Sequence, residues 1–261
     1  MPHVTNEGAE IYWDEAGAGA PVVLIMGFGC PSGLWDGIRP VLAQHFRTIA
    51  LDNRGIGKSS RTPGPYPIPL MASDVRAVLD AAAANTAHVV GVSMGGMIAQ
   101  EFALLHPSRV RALVLGCTWP GGDKSIRAAR PDTRGMSPAE AERAMIDLTY
   151  HPNTPRDRIQ EDVAVIGTVH PEVYQAQALG SQGWDSYDRL PTIVPPTLII
   201  HGDADRRVPV ENAALMGERI PGATVKILKD AGHVFTTDQP EASARAITEF
   251  LLLQPAPPAP T

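Results

Sequence analysis

The sequence predicts an α/β domain with one insertion, in which a mostly parallel β-sheet is covered by helices on both faces. Three observations lead to this fold class. Short runs of apolar, often β-branched residues recur along the 261-residue chain, helical patterns alternate with these runs, and one long polar stretch interrupts the alternation. Strands that are apolar on both sides are typical of parallel sheets buried between two layers of helices.

The predicted elements follow one another in a regular order. Residues 10–15 are amphipathic and are expected in an antiparallel hairpin at the sheet edge. Six apolar strands are predicted at residues 22–26, 48–51, 89–90, 112–115, 197–200 and 225–228. Helices are predicted from the spacing of apolar residues at 34–45, 70–84, 96–106, 210–219 and 240–253.

The alternation of strands and helices stops between residues 121 and 196, where the sequence becomes polar and helical. Residues 137–140 have the pattern of a helix cap, and Pro155 and Pro171 mark further breaks. We expect residues 122–195 to form a helical cap inserted after the sixth core strand, over the carboxyl ends of the strands, where open α/β sheets bind ligands.

The cap would divide the core into residues 1–121 and residues 196–253. The last residues, 254–261, are rich in proline and alanine and are expected to form a disordered tail.

Composition and charge exclude several classes of partner. The formal net charge is −6, and no cluster of lysine and arginine is longer than a pair, so a nucleic-acid partner is not expected. No segment has the length needed to cross a bilayer, and the N-terminal residues lack the pattern of a secretory signal. Cys30 and Cys117 have neither metal-ligand spacing nor a disulfide pattern. We therefore expect a cytoplasmic protein without a membrane partner, while a homodimer stays open.

The segment Gly-Val-Ser-Met-Gly at residues 91–95 is the most informative motif. It follows a predicted strand and precedes a helical pattern, so Ser93 is expected at a sharp turn that projects its Oγ toward solvent. The N-terminal end of the following helix points at this serine and favours negative charge there. The same motif also describes a structural glycine-rich turn, so the interpretation depends on a base and an acid later in the chain.

A general base is needed because a serine hydroxyl is a weak nucleophile until its proton is removed. His233 is the predicted base, since it follows Ala231 and Gly232 in the loop after the last strand. The other histidines stand in less suitable places, and His201, at a strand end, is expected to be packed and hydrogen-bonded.

The orienting acid is expected after the strand at residues 197–200, where Asp203 and Asp205 are both available. We favour Asp205, because a turn at Gly202 would carry it past the strand end, while Asp203 is suited to binding turn amides. The two donors of an oxyanion hole are predicted to be the backbone amides of Met94 and Phe28.

With these residues in place, the sequence resembles the α/β-hydrolase fold superfamily over essentially its whole length. The matching segments are residues 91–96, 51–59, 202–205 with 208–209, and 231–233. The resemblance implies an eight-stranded sheet, and it extends to small bacterial esterases, 3-oxoadipate enol-lactonase and cofactor-free haloperoxidase-like hydrolases. Many of these relatives carry His-Gly where this chain has Met26-Gly27, which leaves the support of the oxyanion loop open.

Apolar and aromatic residues are expected to surround Ser93 as an acyl or alcohol pocket. Besides Phe28 and Met94, the predicted substrate-binding residues are Gly27, Trp35, Trp119, Met136, Met145, Tyr150 and Trp184. The predicted reaction is hydrolysis of a carboxylic ester or lactone through an acyl-enzyme, with no metal and no organic cofactor.

Other reactions fit the same three side chains. A C–C bond hydrolase, a thioesterase or a perhydrolase would use them equally, and a ligand receptor could keep the fold for binding. An epoxide hydrolase or haloalkane dehalogenase needs a carboxylate at residue 93, where this chain has serine.

Overall fold

The computed structural model describes residues 2–129 and 134–254. Within these residues, eight strands form one sheet in the order β1-β2-β4-β3-β5-β6-β7-β8. The strands are β1 (His3–Asn6), β2 (Ala9–Ala16), β3 (Pro21–Ile25), β4 (Arg47–Leu51), β5 (Ala87–Val92), β6 (Val110–Gly116), β7 (Thr197–Gly202) and β8 (Thr224–Leu228). The pairs β1–β2 and β2–β4 are antiparallel, and the other neighbours are parallel. The predicted fold class and its antiparallel edge are confirmed.

The central strands are buried on both faces, which explains their unbroken apolar sequences. In β3, Val23 and Ile25 pack into the core on one face of the sheet, while Val22 and Leu24 pack into the core on the other. This alternation follows from the two-residue period of a strand. β8 lies at the sheet edge, and only its last residue, Leu228, is buried.

Helices cover both faces of the sheet. They are α1 (Arg39–Leu42), α2 (Ile68–Ala81), α3 (Met94–Leu105), α4 (Pro138–Thr149), α5 (Arg156–Ile166), α6 (Pro171–Ser181), α7 (Glu211–Arg219), α8 (Phe235–Asp238) and α9 (Pro240–Leu252). Short 3-10 helices occur at Ser32–Trp35, Pro107–Arg109 and Tyr187–Thr192. None of the helices in the described ranges combines the length and the apolar composition that crossing a bilayer requires.

The predicted helix at residues 34–45 is wrong. A 3-10 turn at Ser32–Trp35 and the four-residue α1 occupy this region instead. Pro40 lies in the first turn of α1, where its missing N–H and fixed φ are tolerated. A proline in the middle of a longer helix would lose a hydrogen bond and collide with the preceding turn. A new helix, α1, therefore begins at Arg39, directly before Pro40.

Among the described residues between β6 and β7, three α-helices, α4, α5 and α6, precede the 3-10 helix at Tyr187–Thr192. α4 begins with the expected capping box, in which Glu140 N–H donates to Ser137 Oγ at 3.4 Å and Ser137 N–H donates to the Glu140 carboxylate at 2.8 Å. Pro155 directly precedes α5, and Pro171 is the first residue of α6. The division into a cap at 122–195 and two core parts stays a prediction, and residues 255–261 of the expected tail lie outside the described residues.

Candidate active site

Ser93 occupies a strained turn between β5 and α3. Its backbone has φ +57° and ψ −122°, a conformation that residues with a side chain rarely adopt. A Cβ on Gly91 would collide with the carbonyl oxygen of Gly95, and a Cβ on Gly95 would collide with that of Ile25. Both glycines are therefore required for the strand and the helix to approach each other at this turn.

The structure brings the three predicted catalytic side chains together. His233 Nε2 lies 3.0 Å from Ser93 Oγ, and His233 Nδ1 lies 2.8 Å from Asp205 Oδ2. A carboxylate only accepts hydrogen bonds, so Nδ1 carries the hydrogen and Nε2 is left to accept from the serine hydroxyl. This is the arrangement in which imidazole acts as a base toward Ser93.

Asp205 is held by more donors than His233 alone. Its Oδ1 accepts the backbone N–H groups of Arg207, at 2.8 Å, and Val208, at 2.9 Å. Burial opposes ionisation of Asp205, but the neighbouring His233 and His201 outweigh it and hold the pKa of the carboxyl well below its ordinary value. The lowered pKa favours an ionised Asp205 behind the imidazole.

Asp203 has a different place. Its Oδ1 accepts the N–H of Ala231 at 3.3 Å, which ties the turn after β7 to the loop that carries His233. The position of the two carboxylates matches the reason for which Asp205 was favoured.

Cys117, His201 and Asp205 offer ligand atoms within 4.8 Å of one another, a grouping that could in principle hold a metal ion. Their chemistry indicates another use. His201 Nε2 lies 2.9 Å from the Val208 carbonyl oxygen and must carry a hydrogen to bind it, and burial raises the pKa of the Cys117 thiol. A bound metal prefers a thiolate and an unprotonated ring nitrogen, so the group fits a support for Asp205 better than a metal site.

The residues that carry the predicted oxyanion donors belong to the start of α3 and to the loop after β3. Met94 is the first residue of α3, where an N–H has no intrahelical acceptor. The preceding loop passes close by on the other side, because a Cβ on Gly27 would lie 3.0 Å from Ser93 Cβ and 3.5 Å from its Oγ. Phe28 follows Gly27 in this loop, and the amides of Phe28 and Met94 stay the predicted oxyanion donors.

The oxyanion loop, defined as residues 27–30, is supported at its start without a histidine at residue 26. Asn53 Nδ2 donates to the Met26 carbonyl at 2.7 Å. Asp52 accepts the N–H of Ser32 at 2.7 Å through one oxygen and that of Lys58 at 2.8 Å through the other. These contacts answer the question that the missing histidine left open, and they give Asp52 a structural role next to the oxyanion loop.

The loop is also held from the helices between β6 and β7. Gly29 N–H donates to Gln177 Oε1 on α6 at 2.9 Å, and the Phe28 ring meets the Tyr174 ring edge-on at 4.7 Å. Sequence reasoning missed Gln177 and Tyr174, because the hydrogen bond joins residues 148 positions apart and no local pattern marks it.

Burial raises the pKa of the nearby Cys30 thiol to about 11. Cys30 Sγ lies 3.3 Å from the Phe28 carbonyl oxygen and serves as a weak donor within the oxyanion loop.

A second set of contacts joins the His233 loop to the end of α4. His233 N–H donates to the Thr149 carbonyl at 2.8 Å. Asp238 accepts the N–H of Gly232 at 2.6 Å and that of His151 at 3.2 Å. Burial raises the pKa of Asp238 despite these hydrogen bonds. Sequence reasoning did not identify this acid.

The predicted pocket residues differ in burial. Phe28 and Trp119 are half-buried. Tyr150 is buried next to the His233 loop, and its hydroxyl donates to Asp162 at 3.0 Å. Met136 and Met145 are exposed, so their part in a pocket stays a prediction.

Two other predicted pocket residues, Trp35 and Trp184, are buried in the core clusters, and their part in a pocket stays a prediction. Trp35 has no exposed surface, because the 3-10 turn directs it into the core cluster with Leu42 and Phe235. Trp184 is also buried, and its Nε1 donates to Glu101 at 2.8 Å. In both cases the large apolar ring is used for packing within the domain.

Comparisons with known proteins agree with this architecture. The model of the Alpha/beta hydrolase family matches residues 22–246. A putative carbamate hydrolase, RutD, of Azorhizobium caulinodans is 31% identical over 260 residues, which cover 96% of this chain and 98% of the relative.

Two solved structures are similar along nearly their full length. A thermophilic esterase from Thermogutta terrifontis superposes with a TM-score of 0.84 at 29% identity, covering 96% of this chain and 97% of the esterase. Est816, described as an N-acyl homoserine lactone degrading enzyme, superposes with a TM-score of 0.80 at 29% identity, covering 95% of this chain and 100% of Est816.

Proposed function

We propose that this chain, which belongs to the alpha/beta hydrolase family, is a serine hydrolase that cleaves a carboxylic ester or lactone through an acyl-enzyme. The observation that carries the proposal is the continuous hydrogen-bonded chain from Ser93 through His233 to Asp205, with lengths of 3.0 and 2.8 Å. These distances are within the range at which a base takes the proton of a nucleophile.

Acylation begins when Ser93 Oγ attacks the carbonyl carbon of the substrate. His233 Nε2 takes the hydroxyl proton during the attack, and the ionised Asp205 stabilises the imidazolium that forms. The carbonyl oxygen becomes an oxyanion between the amides of Phe28 and Met94, where each donor is worth about 3 kcal/mol of transition-state stabilisation. His233 then returns the proton to the leaving alcohol, and an ester between Ser93 and the acyl group remains.

Deacylation repeats these steps with water. His233 takes a proton from the attacking water, the same two amides receive the second oxyanion, and Ser93 regains its proton as the acid leaves. Protein groups and water supply every step of this route. In a lactone the leaving alcohol stays tethered to the acyl group, so one hydroxy acid is released.

The names of similar proteins support an ester or lactone as the substrate class. One similar structure is an esterase, and another degrades an N-acyl homoserine lactone. A carbamate is the second candidate, because a putative carbamate hydrolase is 31% identical over 96% of this chain. The same serine, base and oxyanion donors would attack a carbamate carbonyl, which differs in bearing nitrogen beside the carbonyl carbon.

The test is turnover of a substrate panel by the wild-type protein and by Ser93→Ala. The panel contains a p-nitrophenyl butyrate ester, a γ-lactone, an enol-lactone, an acyl thioester and an aryl carbamate. We expect wild type to hydrolyse the ester or a lactone and Ser93→Ala to lose that activity by at least about 10⁴-fold. Ser181→Ala serves as the matched control, because its hydroxyl donates to a carbonyl within its own helix α6.

The outcomes separate the candidates. Equal turnover by wild type and Ser93→Ala would remove Ser93 as the nucleophile. A dominant carbamate activity that depends on Ser93 would favour the second candidate, and a dominant thioester activity would favour a thioesterase. No turnover of any panel member would favour a receptor or a C–C bond hydrolase. The cytoplasmic location and the homodimer stay predictions.

A further inference from the structure

We propose that Gln177 is a positioning residue for the oxyanion hole, an inference that rests on the function proposed above. Gln177 lies on α6, far in sequence from the nucleophile, and its Oε1 accepts the N–H of Gly29 at 2.9 Å. Gly29 directly follows Phe28, whose amide is one of the two proposed oxyanion donors.

The environment of Gln177 indicates that this hydrogen bond is the reason for a glutamine at this place. Its side chain has no exposed surface. Among the described residues, Nε2 is buried without a hydrogen-bond partner. A buried amide with one unsatisfied end is unfavourable compared with an apolar side chain of the same size, so packing alone does not favour glutamine here.

The hydrogen bond fixes one particular peptide plane. The N–H of Gly29 and the carbonyl of Phe28 belong to the same planar unit. Gln177 holds the N–H end at 2.9 Å, and Cys30 Sγ lies 3.3 Å from the carbonyl end. With both ends held, rotation of this plane is restricted, and so is the direction in which the preceding Phe28 N–H points.

The contacts of the same helical region strengthen this support. The Phe28 ring packs edge-on against Tyr174, one turn before Gln177 on α6. A Cβ on Gly29 would meet Val169 Cγ2 at 3.5 Å, so the segment before α6 also lies against the loop. Gly29 itself has φ +70°, a conformation open to glycine, and its backbone therefore needs external support to stay in one orientation.

The direction of the Phe28 amide matters because an oxyanion donor must lie within hydrogen-bond distance of the oxygen that develops charge. A loop that is free to rotate would still bind the planar substrate, but it would stabilise the tetrahedral oxyanion less. Loss of the Gln177 hydrogen bond should therefore lower kcat and leave KM nearly unchanged.

Gln177→Met tests the inference, because methionine keeps the length of the side chain and removes the acceptor. We expect kcat for p-nitrophenyl butyrate to fall by about 10- to 100-fold and KM to change by less than about threefold. This decrease in kcat is no larger than the decrease caused by removing a whole oxyanion donor. The inhibition constant of an alkyl trifluoromethyl ketone, which forms a tetrahedral adduct on the serine, should rise by the same factor as kcat falls. Gln175→Met, at an exposed glutamine on the same helix, should behave as wild type.

A purely structural role of Gln177 gives a different pattern. Active sites are counted by titration with a fluorophosphonate, so that kcat refers to folded enzyme alone. A variant with a lower thermal midpoint but wild-type kcat per active site and wild-type affinity for the ketone would overturn the inference.

If Gln177→Met does not fold, hydrogen exchange of the wild-type chain tests the role of Gln177 instead. The Gly29 amide should be protected from hydrogen exchange in NMR spectra, and an exchange rate typical of a free loop amide would overturn the proposal. The two proposals also fail separately. Full activity of Ser93→Ala would refute the proposed function, whereas a wild-type Gln177→Met beside an inactive Ser93→Ala would refute the role of Gln177 alone.

Discussion

Replacing Asp205 by asparagine should remove nearly all turnover while the protein stays folded. We expect kcat to fall by about 10⁴-fold, which corresponds to about 5 kcal/mol of lost transition-state stabilisation. The size of the effect follows from the way the structure orients the side chain at residue 205.

Two backbone amides determine which way asparagine would point. The N–H groups of Arg207 and Val208 both donate to Asp205 Oδ1, at 2.8 and 2.9 Å, so the amide oxygen of asparagine must take this place. Its NH₂ group then faces His233 Nδ1 and can only donate. The imidazole is forced into the tautomer with hydrogen on Nε2, which cannot accept the proton of Ser93.

The assay compares kcat of Asp205→Asn with that of Asp203→Asn on p-nitrophenyl butyrate. Asp203 is the matched control, because asparagine at this position can still accept the N–H of Ala231. Asp203→Asn should stay within about threefold of wild type. A loss of less than about tenfold in Asp205→Asn, or equal losses in both variants, would refute the assigned role of Asp205.

The thermal midpoint gives a second check on Asp205. Its folded-state pKa lies below the ordinary value of 3.8, so the stability it contributes is present above that value and is lost as pH falls through the depressed pKa. The thermal midpoint of Asp205→Asn should therefore be lower than that of wild type, and the difference between the two midpoints should stay constant between about pH 5 and pH 8. A gap that closes within this interval would contradict the depressed pKa.

Three further predictions follow from other parts of the site. Gly27→Ala should lower kcat by about 10-fold or more, because the added Cβ would lie 3.0 Å from Ser93 Cβ. Gly37→Ala is the control and should match wild type, because its added Cβ meets only the Thr236 carbonyl oxygen, at an ordinary 3.8 Å. Asp162→Asn should raise the thermal midpoint by about 2 °C at pH 8. Burial raises the pKa of Asp162, so the protonated carboxyl favours the folded state, and this contribution is lost as pH rises through the raised pKa. The gain should shrink toward pH 4, as the wild-type carboxyl takes up a proton, and a gain that grows on acidification would contradict the raised pKa. Cys30, with a pKa of about 11, should not react with iodoacetamide in the native protein at pH 8, while the unfolded chain reacts, and rapid inactivation of the native enzyme would show an exposed thiolate instead.

The sequence predicted those parts of the site that depend on local chain geometry. Ser93 directly follows a parallel strand, Asp205 and His233 lie in the loops after two others, and the carboxyl ends of parallel strands meet at one edge of the sheet. Gly91 and Gly95 on either side of the Ser93 turn, and Gly232 before His233, marked the tight turns. The fold class followed in the same way from short apolar strands that are buried on both faces.

The contributions of distant helices to the site could not be predicted in this way. Gln177 and Asp238 hold the oxyanion loop and the His233 loop by accepting hydrogen bonds from backbone amides, and a backbone donor leaves no mark on the sequence of its partner. Whether Trp35 and Trp184 line a pocket or pack in the core could not be read from the sequence, because the residue type is the same in both places; the structure buries both side chains. Which of these applies depends on the direction of each side chain, and this is decided by tertiary packing.

The most direct test of the account is to locate the acyl group during turnover. The enzyme is mixed with p-nitrophenyl butyrate, quenched with acid within the first turnovers, digested and analysed by mass spectrometry. We expect one butyryl group per chain, on the peptide that contains Ser93, and no such adduct in Ser93→Ala. A butyryl group on another residue, or an equally labelled Ser93→Ala chain, would contradict the account.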